Sequence, residues 1–182
     1  MTDDPRYDRR GFLSLVGVAA LAGCSDSLPT VGPTPTSTPT VALFEAHPET
    51  LVLTRGELPS GATWEQSPSN RRDDTFSVGY EVFVDGDRSH QISLGLSRRT
   101  SVDGAVFDHD NLVELYREED DATATALQYG DEGTLVTFGD EAHAIVTYRN
   151  LSLNVGLYDD GPLESLRDVT ELQVEKLERL AP

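Results

Sequence analysis

The chain has 182 residues, with 32 acidic residues against 14 basic ones and a formal net charge of −18. Such an acidic surface repels phosphate backbones and anionic lipid headgroups, so we expect no nucleic-acid partner. All of the basic residues except Lys176 are arginine. Scarce lysine beside abundant Asp and Glu is typical of a halophilic protein, because high salt screens the repulsion between like charges. A merely acidic secreted protein, the alternative, would carry more lysine.

The first 23 residues have the pattern of an export signal. Arg9 and Arg10 are followed by Phe12 and Leu13, and then by an apolar run that is too short to cross a bilayer as a helix. The order Arg-Arg-x-Phe-Leu resembles the twin-arginine export motif, which directs folded cargo to a translocase. We therefore predict that residues 1–23 are a twin-arginine lipoprotein signal peptide.

The segment Leu21-Ala22-Gly23-Cys24 closes this signal and resembles a lipobox, whose cysteine thiol takes the lipid. The alternative is a short buried helix with an accidental cysteine, which would lie at an extreme terminus. We predict that Cys24 becomes the lipidated N-terminus, with membrane lipid as a partner and the extracellular face of the cell membrane as the location. Because Cys24 is the only cysteine, the exported part keeps no thiol for disulfides, metal binding or catalysis.

Residues 24–41 are predicted to be the lipid anchor and a Pro/Thr-rich linker. Four prolines lie among threonines in this stretch, and such a segment is extended and semi-rigid at about 3 Å per residue. It would hold the following domain away from the membrane. Residues 42–182 are predicted to form that domain, a single α+β globule.

Apolar residues alternate with polar ones in two groups of predicted strands. Asp85-Gly86-Asp87 predicts a hairpin turn in the first group, and Arg149-Asn150 predicts a tight loop in the second. The strands are predicted at 78–84, 92–96, Thr134–Phe138, Ala144–Tyr148 and 151–157.

Two segments have a helical period instead, one from the cap Ser101 to Tyr116 and one from Pro162 to Leu180. Strand runs that are divided by one helix and closed by another predict an α+β fold. We expect an antiparallel sheet of about six to seven strands with both amphipathic helices on one face. An all-β sandwich is the alternative, but it would leave both apolar stripes without a partner.

No catalytic, cofactor-binding or metal-binding residue is predicted. The acidic clusters at 85–87, 108–111 and 159–161 lack the full spacing of a cation loop. We expect His109 and Gln173, in the middle of the two helical stripes, to be hydrogen-bonded core residues. The histidines also lack metal-ligand spacing, although they could converge in space: His47, His90, His109 and His143.

Two arginine pairs and one sequon complete the candidate sites. We expect Arg71-Arg72 and Arg98-Arg99 to pair with neighbouring acidic residues, with anion binding as the alternative. Asn150-Leu151-Ser152 is an N-glycosylation sequon at a predicted hairpin tip. Asn150 is therefore predicted to be exposed and available for a glycan.

Three short stretches together resemble those of exported lipoproteins of haloarchaea and bacteria: Leu58-Pro59-Ser60-Gly61 before Trp64, Gly139-Asp140-Glu141-Ala142, and Tyr148-Arg149-Asn150. More distantly, the layout is similar to the extracellular sensor-like domains of mycobacterial PknH-type kinases and to the PsbP/Mog1-like fold. The resemblance covers roughly residues 50–180 and implies an antiparallel sheet with flanking helices and no established chemistry. The kinase-linked sensors are commonly disulfide-stapled, and this chain has no cysteine for that.

The lipid address, the linker and the lack of a catalytic signature predict a membrane-anchored extracellular lipoprotein with a non-catalytic binding domain. We expect a monomer without a cofactor, whose partner is a solute, a surface polymer or a membrane protein. One alternative is a hydrolase with a serine beside His90 or His143. Another is an accessory subunit of a membrane complex, which would expose an apolar patch on the sheet face opposite the helices.

Overall fold

The computed structural model describes residues 41–182, and in these residues it confirms the α+β class and the antiparallel sheet. The helices are α1 (Pro48–Leu51), α2 (Val102–Arg117) and α3 (Leu163–Leu180), and a 3-10 turn covers Arg55–Glu57. The eight strands are β1 (Thr63–Gln66), β2 (Asn70–Arg72), β3 (Thr75–Val84), β4 (Asp87–Arg98), β5 (Thr123–Leu127), β6 (Glu132–Phe138), β7 (Glu141–Tyr148) and β8 (Leu151–Tyr158).

The sheet has the strand order β1-β3-β4-β8-β7-β6-β5, and β2 also pairs with β3. β8, the last strand in the sequence, lies near the centre between β4 and β7. It therefore joins the two strand groups that the sequence separates. The predicted turn at Asp85-Gly86 is confirmed, since both residues have a positive φ between β3 and β4.

The two faces of the sheet differ in chemistry because side chains alternate along each strand. One row of cross-strand partners on the first face, the core face, is Val78, Leu94, Val155 and Ala144. The adjacent row on the second face, the polar face, is Gly79, Ser93, Gly156 and His143.

The two long helices lie on opposite faces of this sheet, so the prediction that both pack on one face is wrong. α3 buries Leu166 in the large apolar cluster of the core face. α2 instead places Val113 in a smaller cluster with Val136 and Ile145 on the polar face. The physical reason lies in β7, where residues 142–147 are all buried. Because consecutive side chains of a strand point to opposite faces, other elements must pack against both faces of β7.

Residues 44–58 form an N-terminal cover over the core face, and the sequence patterns did not reveal it. The cover packs across β3 and β4 and buries Leu51 and Leu53. Gln173 of α3 fixes it, because Leu53 N donates to Gln173 Oε1 at 2.8 Å and Gln173 Nε2 donates to Leu51 O at 2.9 Å. The prediction of Gln173 as a buried amide bonded to backbone is confirmed.

Lys176, the single lysine of the chain, binds the same N-terminal cover. Its Nζ donates to Val52 O at 2.9 Å and to Glu57 Oε2 at 2.8 Å. Burial tends to raise the pKa of Glu57, but hydrogen bonds from Lys176 and Thr54 outweigh it and lower the pKa to about 2. The charge of Lys176 therefore stabilises the contact between α3 and the N-terminal cover.

The structure has more strands than the six to seven predicted. β1, β2 and β5 lie at the two edges of the sheet and have few buried residues. In a strand whose residues are mostly exposed, apolar and polar residues alternate only weakly. The sequence therefore does not predict β1, β2 and β5.

Candidate functional site

A groove opens on the polar face of the sheet, beside α2. α2 packs mainly against β5 to β8 on this face, and the half over β3 and β4 is open beside it. The groove has a volume of about 390 Å³, within the range of roughly 300–1,000 Å³ that small-molecule sites occupy. Its lining residues are Asn70, Thr75, Phe76, Ser77, Gly95, Leu96, Ser97, Arg99, Asp108, Asn111, Leu112, Ser152 and Asn154.

The floor of the groove consists of small polar residues from three neighbouring strands. Gly95 of β4 is the cross-strand partner of both Ser77 on β3 and Asn154 on β8. Ser97 is likewise the partner of Ser152. Because these positions alternate with the apolar residues of the core face, they present hydroxyl and amide groups in one plane.

Arg99 and Asp108 form the charged part of the groove wall, and they form an ion pair with each other. Backbone contacts hold Arg99 in place, since its N donates to Asn150 O at 2.8 Å. Its carbonyl oxygen accepts from Asn150 Nδ2 at 2.7 Å. The two wall charges neutralise each other, so the groove presents hydrogen-bonding groups without a net charge.

A part-buried polar network on the polar face holds the side chain of Asn154. Asn154 Nδ2 donates to the Tyr116 hydroxyl at 3.0 Å, and Asn154 Oδ1 lies 3.3 Å from His143 Nδ1. The His143 ring stacks on Tyr116 with centroids 4.0 Å apart, and its Nε2 lies 3.3 Å from Glu141 Oε2. Burial raises the pKa of Tyr116. Both nitrogens of His143 are thus engaged in orienting the groove floor.

His90 is the other histidine of the hydrolase alternative, and its surroundings among the described residues do not form a catalytic site either. Its Nδ1 lies 3.0 Å from the hydroxyl of the adjacent Ser89, and its buried Nε2 has no partner among residues 41–182. Burial lowers the pKa of His90, against an opposing effect of Asp159. Neither His90 nor His143 lies between a serine hydroxyl and a carboxylate in the part of the chain that the structure describes.

His109 is buried with 2 % of its surface exposed, and the prediction of a hydrogen-bonded core residue is confirmed. Its Nε2 lies 3.1 Å from Thr134 Oγ1, and its Nδ1 lies 3.1 Å from Asp110 Oδ1. Glu132 approaches the same point, so that one ligand atom from each of His109, Asp110 and Glu132 lies within 4.8 Å of the others. Sequence spacing missed this cluster because β6 and α2 meet only in the folded chain.

Asn150 is buried, so the prediction that it is exposed for a glycan is wrong. Only 2 % of its surface is exposed. Its Oδ1 accepts from Phe44 N at 2.8 Å, and its Nδ2 donates to Phe44 O at 3.1 Å and to Arg99 O. The residue closes the hairpin tip onto the N-terminal cover, and a glycan on the folded domain would have to break these bonds.

Three of the paired arginines bind acidic residues, as expected. Arg71 pairs with Glu49, Arg98 pairs with Asp74 at 2.6 Å, and Arg99 pairs with Asp108. Arg71 and Arg99 thereby bind helices α1 and α2, and Arg98 binds the turn between β2 and β3. These pairs leave the anion-binding alternative without support at these three side chains.

The export and lipidation residues, Arg9, Arg10, Phe12, Leu13 and Cys24, lie outside the described residues, so their roles stay predictions. Within residues 41–182, none of the helices is both long and apolar enough to span a membrane. A second cavity, of about 680 Å³, lies between residues 42–46 and the C-terminal Pro182. Its lining is mostly apolar or backbone, without the convergent polar side chains of the groove.

Comparison with family models, curated proteins and solved structures gave no match. The resemblance to exported haloarchaeal lipoproteins therefore stays a prediction, and the geometry of the groove is the basis for function. The sequence contains the polar residues of the groove floor but not the strand order that brings them together. Small or polar residues occupy positions between apolar ones in three strands: Ser77, Gly95, Ser97, Ser152 and Asn154.

Proposed function

We propose that the chain is a lipid-anchored extracellular lipoprotein whose domain binds a neutral, polyhydroxylated ligand, such as a saccharide unit of a solute or surface polymer, in the groove. The observation that carries this proposal is the groove floor. Its hydroxyl and amide groups are aligned by strand register, and a part-buried network orients Asn154. Prealigned donors and acceptors favour binding because little ordering is required when the ligand arrives.

The charge pattern supports a neutral ligand rather than an ion. Arg99 and Asp108 compensate each other at the wall, and the remaining polar lining side chains are hydroxyls and amides. A charged ligand would have to break this pair, whereas a neutral ligand can bind beside it. The net negative charge of the chain would also repel anions.

The location outside the cell rests on the sequence. The twin-arginine pattern at Arg9 and Arg10, the lipobox at Cys24 and the proline-rich linker support export and anchoring. Replacement of Cys24 by Ser tests this part, since intact-mass analysis should find the lipid on the natural chain and none on the Cys24→Ser variant. An unprocessed natural chain in the cytosol would contradict it.

Binding is tested by nuclear magnetic resonance titration of the full chain with neutral saccharides, maltose and N,N′-diacetylchitobiose among them, in 1 M NaCl. We expect saturable shifts at the backbone amides of Ser77, Gly95 and Ser97. The matched variants are Gly95→Val and Gly56→Val. A Cβ at Gly95 projects into the groove, where its nearest contact is Asn154 O at 3.7 Å, and a Cβ at Gly56 meets no atom within 4 Å.

Gly95→Val should abolish the shifts, while Gly56→Val should leave them unchanged. Shifts that persist in Gly95→Val, or that occur away from the groove, would contradict the assignment of the site. The accessory-subunit alternative gains no support, because the open half of the sheet is polar and helices lie on both faces. Co-purification of a membrane protein that Gly95→Val does not disturb would favour that alternative instead.

A further inference from the structure

The flank of α2 that faces away from the groove carries a second cluster of side chains. His109 and Asp110 are neighbours on α2, and Glu132 is the first residue of β6. One potential ligand atom from each lies within 4.8 Å of the other two. We propose that His109, Asp110 and Glu132 bind one divalent transition-metal ion, at a site independent of the groove.

The donor atoms determine the class of ion. An imidazole nitrogen with two carboxylate oxygens suits Zn²⁺ and Mn²⁺, whereas Ca²⁺ and Mg²⁺ prefer oxygen ligands alone. Asp110 and Glu132 are exposed, so their carboxylates can adjust around an ion while the buried His109 stays fixed. Three protein ligands leave coordination positions for water.

Thr134 orients the histidine for this role. Its hydroxyl lies 3.1 Å from His109 Nε2, which leaves Nδ1 as the nitrogen that faces Asp110. Histidines that bind metals almost always hydrogen-bond through the other ring nitrogen, which fixes the tautomer and the ring orientation. The Thr134 hydroxyl can accept from Nε2–H when Nδ1 binds an ion.

The surrounding charges also favour a cation. Among residues 41–182, neither Asp110 nor Glu132 forms an ion pair with Arg or Lys, although Asp108 on the same helix does. Thr147 is the direct cross-strand partner of Glu132, and its buried Oγ1 has no hydrogen-bond partner in this part of the chain. Buried polar groups are normally satisfied, so a hydrated ion beside Glu132 offers a reason for this exception.

The test is calorimetric titration of the full chain with Zn²⁺, and separately with Mn²⁺, after removal of metal with a chelator. The solution contains 1 M NaCl, where the Debye length of about 3 Å suppresses loose binding to the acidic surface. We expect one ion per chain. Asp110→Asn and Glu132→Gln keep the side-chain shape and should each weaken binding at least about 10-fold, and Thr134→Val should weaken it about 10-fold through the histidine alone.

The control is Glu114→Gln, which removes one negative charge from an exposed position on the same helix. Its affinity should stay within twofold of the natural chain, and so should that of Gly95→Val. Histidine ¹⁵N spectra should show a Zn²⁺-dependent shift of His109 Nδ1 and none at His47, His90 or His143. Weak multiple binding, an equal loss in Glu114→Gln, or an unchanged His109 spectrum would each overturn the proposal.

Discussion

The core face and the polar face of the sheet are covered to different extents. On the core face, α3 packs over β7 and β8, and the N-terminal cover packs over β3 and β4. On the polar face, α2 covers β5 to β8, and the half over β3 and β4 stays open. The first face therefore holds most of the apolar core, while the second has room for a ligand.

The hydrogen-bonded polar side chains of the two faces also differ. On the core face, Gln173 and Lys176 satisfy backbone groups of the N-terminal cover and join two layers. On the polar face, Asn154 and His143 bond to side chains and hold the groove floor. We therefore expect Gln173 and Lys176 to contribute mainly to stability, and Asn154 and His143 to determine the shape of the groove.

The largest expected effect comes from Gln173→Leu on the core face. This variant leaves Leu53 N and Leu51 O buried without partners, and each such group costs about 1–3 kcal/mol. We expect a loss of about 3 kcal/mol in the free energy of unfolding, measured by urea denaturation. Glu175→Leu, an exposed position on the same helix, should change it by less than about 0.5 kcal/mol. Equal losses in the two variants would show that Gln173 does not hold the cover.

Asn154→Leu makes the matching change on the polar face. The Tyr116 hydroxyl and His143 Nδ1 then lose a partner, but Tyr116 is only half-buried and can reach water. We expect a smaller loss of about 1–2 kcal/mol in the free energy of unfolding by urea denaturation. Saccharide binding should be lost as well. A loss of stability larger than that of Gln173→Leu would reverse the roles assigned to the two faces.

Periodicity predicted the elements whose packing is local. α2, α3 and the hairpin of β7 and β8 have a strong helical or alternating pattern, and the structure confirms them. The N-terminal cover has no such pattern, because residues 44–58 are held by contacts such as the one from Leu53 to Gln173, across 120 positions of the chain. The sequence of residues 44–58 alone does not specify such distant contacts.

The face on which α2 packs and the position of the groove depend on strand order. β4 pairs with β8, and this long-range pairing brings Gly95 beside Asn154 and Ser97 beside Ser152. Nothing in either segment alone specifies that neighbour. Asn150 shows the same limit, since its sequon and hairpin position predicted exposure, whereas its amide packs against Phe44 and Arg99.

Acid should weaken the attachment of the N-terminal cover to the core face. Hydrogen bonds from Lys176 and Thr54 lower the pKa of Glu57 from 4.5 to about 2, against the effect of burial. The ionised carboxylate therefore stabilises the fold above pH 4.5, and this contribution falls as the pH decreases towards 2. Urea denaturation at several pH values should show that the natural chain has a higher free energy of unfolding than Glu57→Gln at pH 6. This difference should become smaller by pH 3. A difference that stays constant over this range would contradict the role of Glu57.

Gly95→Val should have the smallest effect on stability, because it lies in the open half of the polar face. A Cβ at this position has ordinary van der Waals contact, and valine favours a strand. We expect the free energy of unfolding to change by less than about 0.5 kcal/mol. Gly156→Ala on β8 should be more destabilising, because its Cβ would lie 2.8 Å from both Ser93 Oγ and the Tyr158 hydroxyl, and these side chains would have to move. If urea denaturation showed equal losses for Gly95→Val and Gly156→Ala, the surroundings of Gly95 would be as tightly packed as those of Gly156, and the groove would have no room for a ligand.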